Sequence, residues 1–230
     1  MKNRLSVLIA FCLLSSFPLL AEYSPRDWLN STAGAPYQSV AAELEMIFSE
    51  AETRKVPGDI LVDKMKEGSA KRVSGPQMVQ ALRAEMERLT LAMRLLNKSG
   101  RTSSGNRNTL LKTISLFLQG GIPVDTIDAV LEYAHMVNQT SRRAIYALSS
   151  AFRLIAIAQA PAEFLRPLSE CLVRSSLSER QFSQLQSLAV RAKGRQIEGE
   201  RMIKLIIGSL DSGGGLPALD RELQKRSIFP

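Results

Sequence analysis

Apolar residues recur at helical spacing along nearly the whole chain, and no stretch alternates as a strand would. In residues 37–53, Val40, Leu44, Ile47, Phe48 and Ala51 fall on one stripe, while Glu43, Glu45, Glu50 and Glu52 occupy the rest. The preceding fifteen residues, EYSPRDWLNSTAGAP (22–36), have turn formers and no periodicity, so they are expected to form an extended N-terminal arm. Trp28 on that arm either packs it onto the nearest helices or offers an aromatic anchor to a protein partner.

An internal repeat decides the predicted fold class. VPGDIL from Val56, IPVDTI from Ile122 and APAEFL from Ala160 share an apolar residue, a proline, an acid and a large apolar sixth position. This is a helix start: proline is tolerated in the first turn, and Asp59, Asp125 and Glu163 sit where the helix dipole favours negative charge. Seventeen residues after each start a second helix is predicted. Ser74 with Gln77 and Ser178 with Gln181 form capping boxes inside the staples Val73/Met78 and Leu177/Phe182, and Thr140 caps the middle unit. The spacing predicts an all-α fold, an irregular array of helix hairpins of α-solenoid type, with a compact helical bundle as the alternative.

Two features make the array irregular. The first and second starts are 66 residues apart rather than the 38 that separate the second and third, and the surplus holds the polar run NKSGRTSSGNRN and an added helix over 109–119. Gly194 and Gly199 interrupt the long apolar pattern of residues 179–210, which places a break near 193–199. The repeat domain therefore spans 37–211, and residues 212–230 read as a Gly-rich linker with a short C-terminal helix.

The first 21 residues change the picture of compartment. Lys2 and Arg4 precede an apolar run, Leu5 to Leu14, that is short for a membrane span, and Ala21 ends a cleavage site. Residues 1–21 are read as a signal peptide, and the protein as exported, periplasmic or secreted. Cys171 is then the only thiol, so stability must come from packing, with Cys171 as a small buried apolar residue beside Leu168 and Leu172. Sequons at Asn30, Asn97 and Asn138 would carry glycans only in a eukaryotic secretory pathway.

Charge is unevenly distributed. Residues 22–100 hold 11 cations and 11 anions, whereas residues 101–230 hold 17 and 11, so the excess positive charge beyond the signal segment lies in the second part. Arg142, Arg143, Arg153, Arg191, Lys193, Arg195, Arg201 and Lys204 are the candidates for an anion-binding surface. They are spread singly along helices with little aromatic interleaving, the pattern of a solvated face, and no specific nucleic acid partner is predicted.

Catalytic chemistry finds little footing. His135 is the single histidine, which excludes a metal site built on two imidazoles; Cys171 could pair with it as a nucleophile, but no Gly-rich elbow or oxyanion turn accompanies either. His135 itself is expected to be a partly buried helix residue. Glu132, Glu163 and Glu170 are the carboxylates that glycan cleavage would require, and no surrounding motif resembles a lytic transglycosylase. GGG at 213–215 follows no strand, so it reads as a linker rather than a phosphate loop. No catalytic residue, metal site or cofactor is assigned. The sequence is read as a non-enzymatic scaffold or protein-interaction module of the bacterial cell envelope, with Tyr146, Ser149 and Arg153, and Trp28 on the arm, as partner contacts. The alternative is a basic surface for an anionic polymer such as peptidoglycan or for acidic lipid.

Overall fold

The computed structural model describes residues 25–99 and 107–225, and every regular element among them is helical. The stretch read as a signal peptide, most of the polar run before the added helix and the last five residues lie outside the described residues. The α-helices are α1 (Pro25–Leu29), α2 (Ala41–Thr53), α3 (Gly58–Ala70), α4 (Gly75–Lys98), α5 (Arg107–Gln119) and α6 (Val124–Met136). They continue with α7 (Ser141–Ala158), α8 (Leu165–Arg174), α9 (Glu179–Lys193), α10 (Gly199–Asp211) and α11 (Leu216–Lys225). No helix among the described residues is long and apolar enough to cross a membrane.

The predicted starts are built as their residues require. Both capping boxes form: the backbone N–H of Ser74 donates to Gln77 Oε1 at 3.1 Å, and that of Ser178 to Gln181 Oε1 at 2.8 Å. Thr140 accepts from the Arg143 N–H at 3.2 Å. The third unit departs from the pattern, because Ala162–Phe164 form a 3-10 turn before α8. Pro167 explains it: with no N–H, it cannot make the α-helical bond back to Glu163.

Seven helix stops share one form, although only two are marked by glycine. Lys55, Arg72, Gly121, Asn138, Gln159, Gln196 and Gly213 all take left-handed φ between 54° and 80°. After each, the next N–H bonds back over the turn, as in Val56 to the Ala51 carbonyl at 2.8 Å and Ile197 to that of Ala192 at 3.1 Å. Val56 and Ile122 are buried, so one apolar residue both closes the outgoing helix and begins the staple of the next. This shared residue is why consecutive helices are joined by so few positions.

The break after α9 falls where the sequence placed it, with Gly199 but not Gly194 among the residues that make it. Gly194 keeps an ordinary right-handed φ of −59°, and the reversal is made at Gln196 and at Gly199, whose φ is +61°.

The N-terminal segment is not an extended arm over its described part. α1 and a 3-10 helix, Ala35–Val40, fold it onto α2 and α4. Trp28 is 3% exposed and stacks at 5.5 Å on Tyr37, whose hydroxyl donates to the Val73 carbonyl at 3.0 Å. Gly34 permits the tight return: a Cβ there would lie 2.2 Å from the Trp28 carbonyl oxygen.

One contiguous core runs from Trp28 to Leu223. α7 is its centre and touches α5, α6, α8, α9 and α10. Further contacts run between helices that are not sequence neighbours: α8 lies against α6 and α10, and α9 against α7 and α11. Fully enclosed leucines such as Leu82, Leu89 and Leu148 each contribute roughly 2 kcal/mol by leaving water.

Candidate functional site

α5, the added helix, packs chiefly on α4 and touches α7 only slightly, and this leaves a cleft between α5 and α7. Its volume is about 460 Å³. Thr109, Leu110, Thr113, Leu116 and Phe117 form one wall, and Ile145, Tyr146, Ser149, Phe152 and Arg153 the other. Leu116, Tyr146 and Phe152 are 64%, 41% and 43% exposed, far more than large apolar side chains need be on a helix with a core available. The reason is geometric. On α7 the core stripe runs through Ala144, Ala147, Leu148, Ala151 and Leu154, so Tyr146, Ser149 and Arg153 fall on the far face and Phe152 on its flank, one turn beyond Leu148.

A polar anchor fixes the α5 wall. Ser115 donates to Glu85 Oε1 at 2.6 Å, and Arg88 bonds Glu85 Oε2 at 2.6 Å, with both Glu85 and Ser115 buried. Such a network favours one register of α5 on α4, since a slip would take the Ser115 hydroxyl away from Glu85 Oε1 and leave that buried oxygen without its donor, with only Oε2 still held by Arg88 of α4 itself.

The structure thus places Tyr146, Ser149 and Arg153 on one wall of a cleft and adds the α5 residues and Phe152, which sequence reading missed. A signal was present: aromatic residues recur on the face of α7 that its core stripe leaves free. Trp28 does not join them. It is enclosed in the N-terminal core, so it cannot serve as an exposed partner anchor.

The candidate anion-binding cations do not converge. Arg143 turns inward, donating to the carbonyls of Val173 at 2.7 Å, Leu172 at 3.1 Å and Ser175 at 2.6 Å, with its guanidinium over the Phe182 ring. Burial pulls its pKa below the ordinary guanidinium value, and the residue closes the end of α8 rather than offering charge to a ligand. Arg142 pairs with Glu179 at 3.0 Å and lies over Tyr146; Arg191 pairs with Asp220 at 3.6 Å; Lys204 pairs with Glu200. Arg195 and Arg201 are exposed and Lys193 half-buried, at the joint of α9 and α10. A broader concavity of about 580 Å³ over Glu200, Arg201, Lys204 and Leu205 is lined by one helix alone, which makes it a surface and not a cleft.

No triad or carboxylate pair is assembled around the remaining candidates. Cys171 is fully buried and donates to Asp211 Oδ1 at 3.2 Å, and burial first, then Asp211, pushes its thiol up to about 12. Asp211 is also held by Arg174 at 2.6 Å, and Arg174 reaches the Tyr133 hydroxyl at 3.3 Å, so the cluster ties α6, α8 and α10 together. His135 is exposed on α6 rather than partly buried. Glu132 pairs with Lys98, Glu170 with Arg166, and Glu163 is exposed in the 3-10 turn. No group of three or more His, Cys, Asp or Glu able to hold a metal exists among the described residues.

No family model, curated protein or solved structure matches the chain.

Proposed function

We propose that this chain is an exported, non-enzymatic helical-repeat protein of the bacterial cell envelope, and that it works by holding a protein partner in the cleft between α5 and α7. The observation that carries the reading is the exposure of Leu116, Tyr146 and Phe152 around one concave site floored by the buried Leu110, Phe117 and Ile145. A cleft of mostly apolar lining with a few polar groups at its rim is the usual form of a binding site for a protein segment. The stacking of α6 on α8 and of α7 on α9 supports an α-solenoid-like array, in which α5 is an insertion that opens the groove. The signal segment supports export.

The test is crosslinking in intact envelopes followed by purification of the tagged protein at low and high salt, with a Leu116→Glu, Phe152→Glu variant alongside. A discrete protein partner that survives high salt and disappears with the variant is expected. Recovery only of wall polymer or lipid, and only at low salt, would replace this reading with that of a basic surface.

A further inference from the structure

Neither wall helix of the cleft contains an aspartate or glutamate. α5 carries Arg107 and Lys112, and α7 carries Arg142, Arg143 and Arg153. Four of these five cations are engaged within the protein: Arg107 donates to Asn97 at 2.7 Å, Lys112 to Asp63 at 2.6 Å, Arg142 meets Glu179, and Arg143 holds the end of α8. Arg153 is different. It is exposed, it lines the cleft, and it forms no ion pair among the described residues. An apolar trough with a free guanidinium at its rim and no acid on either wall complements a segment that pairs apolar side chains with a carboxylate.

The shape narrows the conformation of that segment. The five lining residues of each wall span nine positions, 109–117 and 145–153, about 12 Å along a helix axis. That length matches the apolar stripe i, i+4, i+7 of two helical turns, and two neighbouring helices present the ridges that a third helix packs between. Strand addition has nothing to build on, because no strand edge exists among the described residues.

We infer that the α5–α7 cleft binds an acidic amphipathic helix of a protein partner, with its apolar stripe on Leu116, Tyr146 and Phe152 and a carboxylate on Arg153. This rests on the interaction role proposed above and adds the chemistry of the partner. Arg153 then sets register and selects against basic helices, since a lysine placed opposite it would meet like charge.

The experiment is selection of a random 16-residue peptide display library on the tagged chain, with counterselection on the Leu116→Glu, Phe152→Glu variant. Both substituted positions are exposed, and circular dichroism and urea unfolding verify that the variant folds. Enriched peptides are expected to carry apolar residues at i, i+3 or i+4, and i+7, flanked by Asp or Glu. A synthetic representative should bind about fivefold more weakly to Arg153→Ala. Arg153→Glu should lose the acidic peptide and gain its acid-to-lysine counterpart. Cleft-dependent peptides with no preference for acid, or proline-rich ones without helical spacing, overturn the acidic-helix assignment and leave the interaction role standing. An absence of cleft-dependent peptides overturns both. Phosphatidylglycerol vesicles are the parallel probe: vesicle binding abolished by Arg153→Ala, with no cleft-dependent peptide enriched, reassigns the cleft to a lipid surface.

Discussion

The cleft between α5 and α7 and the cationic surface along α9 and α10 carry opposite kinds of surplus. The first leaves apolar area uncovered beside one free guanidinium, whereas the second carries many charges, several already neutralised by a neighbour. The contrast shows that excess positive charge in a stretch of sequence does not by itself make a site. Exposed ion pairs contribute little and are common on solvated helices, but large side chains such as Leu116 and Phe152 held in water at a concave place have no stabilising role in the isolated chain.

The contrast can be broken most severely at the anchor of α5. Glu85→Ala strands Arg88 and Ser115, and a loss of about 3 kcal/mol in urea unfolding is expected, with the cleft residues of α5 the first to gain hydrogen exchange. A loss under about 1 kcal/mol would mean that α5 is held by apolar packing alone. Next comes Arg143→Ala, which uncaps three carbonyls at the end of α8 and should cost about 2 kcal/mol, although the same change at Arg195 or Arg201 should stay within about 0.5 kcal/mol. Equal effects at the three positions would erase the distinction between inward and outward cations.

Cys171 tests whether the α8–α10 end is sealed. Its folded pKa is raised above the unfolded value, so the stability it contributes is complete below pH 8 to 9 and is lost as pH rises toward about 12. Urea stability should therefore fall by about 1 kcal/mol per pH unit between roughly pH 9 and 11, and Cys171→Ala should flatten that part of the profile. Thiol reagents should not label the native protein at pH 8 and should label it in denaturant. The smallest effect expected is a gain: Lys55→Gly and Arg72→Gly relieve left-handed backbone and should each raise stability by up to about 1 kcal/mol, without touching the cleft.

Much of the molecule was legible in its residues because helix starts are local events. A capping box needs only Ser74 and Gln77 three positions apart, and a staple only Val73 and Met78, so the second helix of each unit could be placed from spacing alone. Helix stops were harder to read. Their left-handed residues are Lys, Arg, Asn and Gln at five of seven joints, and nothing in such a side chain announces the turn. The N-terminal segment failed for a related reason: Trp28 and Tyr37 fold residues 25–40 by contacts with each other and with the α3–α4 turn, which no periodicity records.

The sequence by itself determined the helical class, the alternation of a shorter with a longer helix and the break after α9, because each depends on residues within a few turns of one another. Only the tertiary structure decided that α5 leans on α4 and stands off from α7, that Arg143 points inward while Arg153 points out, and that Trp28 is enclosed. Those outcomes turn on which helix wins a shared neighbour, and that competition is settled by packing and desolvation over distances the local pattern does not encode.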